Sequence, residues 1–338
     1  MDTIFLPVKQ DAGNEPALPA EIQRSIYPYY RETNITDGSE FLDDAIRMKD
    51  QPLGETRRKK TSNPLQARKQ TTLLKLKTKF MFTIQQISST AIIAAASLFS
   101  LPHDSIAQTH TKGVKNIVLV HGAFADGSSY AKVIPLLQAK GLNVIAVQNP
   151  LTSFADDVAA TKRAIAQMDG PLLLVGHSYG GMVISEAGKD PKVAGLLYMA
   201  ALVPEDGQNV NDVNAAMPPT AVGPEFKLST DGFLSLSQKG INEFFAQDVS
   251  PEERKLIHAT QVAWAASATE EKVYNPAWKT KPSWYIVAAK DGMINPDLER
   301  FKAKLIKATT LELASSHVPM VSQPRKVADF IVGAAGKL

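Results

Sequence analysis

Short apolar runs alternate with helical patterns along the chain from about residue 114 onward. The runs are rich in Val, Ile and Leu and lack polar alternation, so each predicts a strand buried on both faces. Helical patterns between such strands, over 130–140, 154–168, 179–188, 296–306 and 324–332, require a doubly wound, mostly parallel sheet of about six strands. The predicted strands are residues 116–121, 143–147, 171–175, 195–199, 283–289 and 309–313.

One long insert breaks this alternation between residues 204 and 282. It is too long for a plain loop, so we expect a mainly helical cap or lid over the sheet edge where α/β folds bind ligands. Its helices are predicted over about 232–246 and 251–268. Apolar residues here either line a substrate pocket or hold the cap on the core. The pocket candidates are Phe124 of the core and Met217, Phe233 and Trp264 of the insert, with Phe226, Phe244 and Phe245 as further members.

The chain before residue 108 has a different character. Residues 1–70 are polar and interrupted by proline, which predicts a disordered leader or an extension from a start codon set too early. The segment 71–107 resembles a signal peptide, because basic residues come first, an apolar run follows, and the small residues Ser105 and Ala107 precede a cleavage position.

Cleavage near Ala107 predicts an exported protein, periplasmic or secreted, without stable membrane association. Gln and Ser residues interrupt the apolar run, which makes it a poor bilayer span. An N-terminal membrane anchor and a buried core helix remain the alternatives. The catalytic domain is then residues 108–338, with 204–282 as its insert.

Composition excludes several classes of chemistry. The chain has no cysteine, which rules out thiol catalysis, disulfides and cysteine-ligated metals, and its six histidines make a histidine-rich metal site unexpected. The formal net charge is only +3, from 37 basic and 34 acidic residues, whereas nucleic-acid binding needs a basic surplus. We therefore expect no metal site and no nucleic-acid partner.

A G-x-S-x-G motif covers residues 176–180, at the end of a predicted strand and the start of a predicted helix. This context is typical of a nucleophile elbow, a turn so tight that the neighbours Gly176 and Gly180 must be small. The turn lifts the Ser178 hydroxyl clear of the sheet at a helix N-terminus, where negative charge is favoured. The motif predicts Ser178 as a nucleophile and the Tyr179 backbone N–H as an oxyanion donor.

A serine nucleophile needs a base, and the base needs an orienting acid. His317 follows the last predicted strand, which is the expected place for the base. Asp291 directly follows the preceding strand, and the order serine, acid, histidine fits this architecture. Glu205 and Asp206 are the competing acids. The remaining candidates have other expected roles: His121 is structural, His177 points away from the reacting centre, His258 lies on a cap helix, and Asp297 and Glu299 stabilise a helix N-terminus.

Four segments together resemble the α/β-hydrolase superfamily: residues 118–124, the elbow at 176–181, 291–296 and 316–319. The resemblance covers about Val114 to Ala335. It is greatest to the branch of plant methylesterases, hydroxynitrile lyases and bacterial esterases, whose members mostly need no cofactor. It implies an α/β-hydrolase fold and a Ser178–His317–Asp291 triad, with the Ala123 and Tyr179 N–H groups as the oxyanion hole.

The resemblance implies a serine carboxylesterase that acts on small to medium hydrophobic esters through an acyl-enzyme. The lyases of this branch carry Thr where this chain has Gly122, and Lys where it has Val318, so both departures favour ester hydrolysis. Cyanohydrin cleavage, and ligand binding on a hydrolase scaffold without turnover, remain the alternatives. The expected partner is a small-molecule ester.

Overall fold

A computed structural model describes residues 113–338. The leader predicted over 1–70 and the signal-like segment predicted over 71–107 lie outside the described residues. Nine strands occur in the part that is described: β1 (Asn116–Val120), β2 (Asn143–Ala146), β3 (Leu172–His177), β4 (Val193–Met199), β5 (Phe226–Leu228), β6 (Phe233–Leu236), β7 (Trp264–Ala265), β8 (Ser283–Ala288) and β9 (Thr309–Leu313).

Six of these strands form one parallel sheet in the order β2-β1-β3-β4-β8-β9. Every residue of β1, β3 and β8 is buried, which explains why these strands are continuous apolar runs. The parallel, doubly wound architecture predicted from the alternation is confirmed, with all six predicted strands present.

Helices connect the strands and close the chain: α1 (Ile134–Gln138), α2 (Phe154–Ala166), α3 (Gly180–Ala187), α4 (Val210–Asn214), α5 (Gln238–Gly240), α6 (Pro251–Thr260), α7 (Pro296–Leu305), α8 (Pro319–Ser322) and α9 (Pro324–Ala335). Side-chain caps fix several starts. Ser153 accepts the Asp156 N–H at α2, and Ser250 and Glu253 form a capping box at α6. No helix within residues 113–338 is long and apolar enough to cross a bilayer.

The insert is mainly helical but also carries a small antiparallel sheet of order β5-β6-β7. The helix predicted over 232–246 is wrong in its first part, which is β6, whereas α5 and a π-helix over Ile241–Phe245 form the rest. Along β6 the buried residues are Leu234 and Leu236, which is the period of two of a strand. The second predicted helix ends at Thr260, because Trp264 pairs with Leu234 in the small sheet.

Candidate active site

Ser178 occupies the sharp turn between β3 and α3. Its φ of 55° lies in the left-handed region, which non-glycine residues rarely adopt. A Cβ on Gly180 would stand 2.7 Å from the Val120 carbonyl oxygen, so only glycine fits where the helix starts beside β1. The Ser178 N–H donates to the Met199 carbonyl at 3.2 Å. The elbow is thus held by the backbone and presents the half-buried hydroxyl at the sheet edge.

The three side chains predicted as a triad form one hydrogen-bonded chain. His317 Nε2 lies 2.8 Å from Ser178 Oγ, and His317 Nδ1 lies 2.5 Å from Asp291 Oδ2. The Asp291 carboxylate also accepts the backbone N–H groups of Met293 and Ile294 at 2.7 and 3.0 Å. With Nδ1 donating to the carboxylate, Nε2 is free to accept the serine proton.

His177 helps to fix His317, contrary to the expectation that it points away. Its Nε2 lies 2.8 Å from the His317 carbonyl oxygen, and the two ring centroids are 4.8 Å apart. Burial, and then the neighbouring His317, lower the pKa of His177 well below 6.5, so its imidazole is neutral and donates from Nε2. His177, which precedes Ser178 in the elbow, therefore holds the backbone of His317 in place.

Two cap residues also hold the His317 loop. Asp248 accepts the backbone N–H of Ser316 at 2.9 Å, and the Phe245 ring packs against His317 with centroids 5.2 Å apart. Asp248 was not predicted as a site residue, and Phe245 was predicted only as a possible pocket residue. Their position depends on how the insert folds back over the sheet edge, and the local sequence pattern does not predict this.

The loop after β1 faces the elbow. Within residues 113–338, the backbone N–H groups of Ala123 and Tyr179 donate to no protein acceptor, although both residues are buried. Both line the cavity that Ser178 faces. Two buried, unpaired donors beside a serine hydroxyl can stabilise an oxyanion that forms there.

His121 is part of the frame of this loop rather than its chemistry. Its Nε2 accepts the Asn149 backbone N–H at 2.9 Å, which leaves Nδ1 to donate to the Gly122 carbonyl at 2.8 Å. Burial lowers the pKa of His121, so the neutral ring keeps this tautomer.

The cavity above Ser178 measures about 600 Å³, including the part open to solvent. Of the predicted pocket residues, Phe124 and Trp264 line it and Met217 and Phe233 do not. Phe233 does not line the cavity because successive strand residues face opposite sides of a sheet, and its neighbour Leu234 faces the cavity. Of the further candidates, Phe226 lines the cavity, whereas Phe244 and Phe245 do not. The lining residues that the sequence did not indicate are Leu202, Val210, Asn211, Asn214, Leu234, Thr269, Met293 and Ile294.

The alternative acids and base have other partners. Glu205 pairs with Lys302 at 3.1 Å, and Asp206 accepts the Asn275 backbone N–H at 2.5 Å. His258 is half-buried on α6, a helix with no fully buried residue. Among the described residues, no cluster of His, Cys, Asp or Glu has the arrangement of a metal site.

Asp157 is a buried acid that sequence reasoning missed. It accepts the Leu151 backbone N–H at 2.8 Å and the Tyr179 hydroxyl at 2.9 Å. Burial raises the pKa of Asp157 to about 6. The spacing of Phe154, Asp157, Val158 and Thr161 on one helix face was the available signal, because all four are buried on α2.

Comparison with known proteins identifies the family. The model of the "Alpha/beta hydrolase family" matches residues 117–330. Probable hydrolase R7 of Phoma sp. is 26% identical over 247 residues, which cover 65% of this chain and 98% of the relative. Methylesterase 2 of Arabidopsis thaliana is 25% identical over 256 residues, covering 66% and 97%.

Among solved structures, a pyrethroid hydrolase from Sphingobium faniae superimposes with a TM-score of 0.56 at 23% identity, covering 65% of this chain and 97% of that one. This likeness concerns the fold. The match to the family model, which covers most of the described residues, shows that the chain belongs to the alpha/beta hydrolase family.

Proposed function

We propose that this protein is a serine carboxylesterase that hydrolyses small to medium hydrophobic esters. The observation that carries the proposal is the hydrogen-bonded chain from Asp291 through His317 to Ser178, which ends at a largely apolar cavity. Relatives named as a methylesterase and a pyrethroid hydrolase support an ester as the substrate.

In this proposal the Ser178 hydroxyl attacks the ester carbonyl while His317 Nε2 takes its proton. The Asp291 carboxylate stabilises the imidazolium that forms, and the Ala123 and Tyr179 N–H groups hold the oxyanion. His317 then protonates the leaving alkoxide, which departs as the alcohol. Water, deprotonated by the same imidazole, hydrolyses the acyl-enzyme and restores the serine.

The lack of space for a side chain at Gly122 favours ester hydrolysis over cyanohydrin cleavage. A Cβ at this position would lie 2.6 Å from Ser178 Cβ and 2.9 Å from the His177 carbonyl oxygen. The backbone here thus excludes the Thr that the resembled lyases carry. Val318, at the position of their Lys, is buried and does not line the cavity, so no cation is available there to stabilise cyanide.

The direct test compares p-nitrophenyl acetate and butyrate with mandelonitrile. We expect release of p-nitrophenol from both esters, no cyanide from mandelonitrile, and covalent labelling by a fluorophosphonate. Cyanide release would support the lyase alternative. Absence of both ester turnover and fluorophosphonate labelling would contradict the esterase and leave a binding protein on this scaffold.

Trp264 is expected to govern substrate affinity. Its ring packs against Phe124 and Tyr179, with centroids 6.0 and 4.8 Å away, and lines the cavity. Trp264→Ala removes apolar contact that the bound ester and its transition state share, so KM for the butyrate ester should rise about tenfold with a smaller change in kcat. Trp278→Phe, in the same insert but outside the cavity, is the control. An unchanged KM for Trp264→Ala would remove this residue from the substrate pocket.

We also propose that residues 71–107 direct export and are removed. The basic-then-apolar order and the small residues before Gln108 support this. N-terminal sequencing of the protein made in its native host should read from Gln108. A chain that retains the apolar run and sediments with membranes would instead support the anchor.

A further inference from the structure

A second carboxyl group is buried behind Asp291. Glu299 lies in the first turn of α7, and its side chain is fully buried. One carboxyl oxygen, Oε2, accepts the backbone N–H of Ala288 at 3.0 Å, where β8 ends three residues before Asp291. The sequence predicted an acid that stabilises the helix N-terminus. The structure places Glu299 in that first turn but on the buried face of α7, next to Leu298 and one turn from Ala303.

The other oxygen, Oε1, is buried, and no donor among residues 113–338 reaches it. The neighbouring acid is Asp291: its backbone N–H donates to the carbonyl of the same Ala288 at 3.1 Å, and its carboxyl group lies within hydrogen-bonding reach of the Glu299 carboxyl group. Two ionised carboxylates have no proton to share. The contact becomes a hydrogen bond only when one of the two groups is protonated.

The distribution of donors decides which group holds the proton. Asp291 receives three N–H donors, from Met293, Ile294 and His317, all of which stabilise its ionised form. Glu299 receives one, from Ala288. The proton therefore belongs to Glu299. Burial, and then the charge of Asp291, hold the pKa of Glu299 well above its ordinary value of 4.5, in agreement with this assignment.

The charged neighbours do not neutralise Glu299. Arg300 bonds Asp297 and Glu312 at the surface, and Lys302 pairs with Glu205. On β8, the Tyr285 hydroxyl donates to the Ala201 carbonyl.

We propose that Glu299 is a positioning residue for the triad: its neutral carboxyl donates a hydrogen bond to Asp291 and holds that carboxylate in the orientation that His317 requires. This inference rests on the proposed esterase function. It implies that the activity falls at alkaline pH, because loss of the Glu299 proton would place two repelling carboxylates behind His317.

Two variants and one control test the proposal. Glu299→Gln keeps an acceptor for Ala288 and a donor for Asp291 but cannot ionise. It should keep kcat/KM within about threefold at neutral pH and lack the alkaline fall of the native enzyme. Glu299→Leu removes the donor and should lower kcat about 10- to 100-fold with little change in KM, as expected for loss of a supporting hydrogen bond. Asp297→Asn, on the exposed side of α7, should match the native enzyme.

Thermal unfolding gives a second readout. An acid whose pKa is raised by folding keeps its proton only in the folded state, so it costs stability as the pH rises above 4.5. The Tm of the native protein should therefore fall relative to that of Glu299→Gln as the pH rises above 5. This comparison remains informative even where Glu299→Leu does not fold.

The failure of this inference is distinguishable from failure of the proposed function. Fluorophosphonate labelling of the native enzyme tests Ser178 activation. Labelling of the native enzyme, combined with an unchanged kcat in a folded Glu299→Leu or an unaltered alkaline limb in Glu299→Gln, would overturn the positioning role alone. An enzyme that is not labelled in any form would overturn both.

Discussion

Replacing Ser178 by Ala is expected to lower kcat for p-nitrophenyl butyrate by about 10⁴- to 10⁶-fold. The hydroxyl at this position lies 2.8 Å from His317 Nε2. Its loss removes the attacking oxygen and leaves the oxyanion donors and the cavity in place. The variant should therefore still bind a competitive inhibitor or the intact ester, with an affinity measured by calorimetry that is close to that of the native protein.

Ser315→Ala is the matched control for this change. Ser315 is a buried serine two residues from His317, and its hydroxyl has no hydrogen-bond partner within the part of the chain that is described. Its loss should leave kcat within about twofold of the native value. Substantial turnover by Ser178→Ala, or an equal loss in Ser315→Ala, would show that Ser178 is not the nucleophile.

Asp291→Asn is expected to lower kcat by about 10⁴-fold without unfolding the protein. An amide can present its N–H₂ group to His317 Nδ1, which then becomes an acceptor and leaves the proton on Nε2. A protonated Nε2 cannot take the proton of the Ser178 hydroxyl, 2.8 Å away. Circular dichroism and thermal unfolding should show the native fold, because an amide is nearly isosteric with a carboxyl group.

Asp206→Asn and Glu205→Gln are the controls, since both residues were alternative acids in the sequence. Their carboxylates bond Asn275 and Lys302 and do not contact His317. Turnover within about threefold of the native enzyme is expected for both. A loss of activity in Glu205→Gln together with an active Asp291→Asn would show that Glu205, not Asp291, is the acid that orients His317.

The sheet was predictable because its central strands are buried on both faces, although the edge strands β2 and β9 are largely exposed or half-buried. A run such as residues 172–175 is apolar throughout, so local composition predicts its structure without knowledge of its neighbours. The contact among Ser178, Asp291 and His317 was equally accessible. Each follows a strand of a parallel sheet, and the carboxyl ends of parallel strands meet at one edge.

The cap and the supporting residues were not predictable in the same way. β6 has four residues and β7 has two, too few for a period to separate strand from helix, and their pairing connects segments some 30 positions apart. Met217 and Phe233 were chosen for composition, whereas the direction of each side chain decides what lines a cavity. Glu299 was predicted only as an acid that stabilises a helix N-terminus, because its contacts with Ala288 and Asp291 depend on the packing of α7 against β8.

The most direct test of the central claim is mass spectrometry of the enzyme, quenched in acid milliseconds after mixing with p-nitrophenyl butyrate. We predict a burst of p-nitrophenol that approaches one equivalent per active site, with the butyryl group on the peptide that contains Ser178 and absent from Ser178→Ala. Ester turnover with no acylated intermediate, or acylation at another residue that persists in Ser178→Ala, would contradict the account.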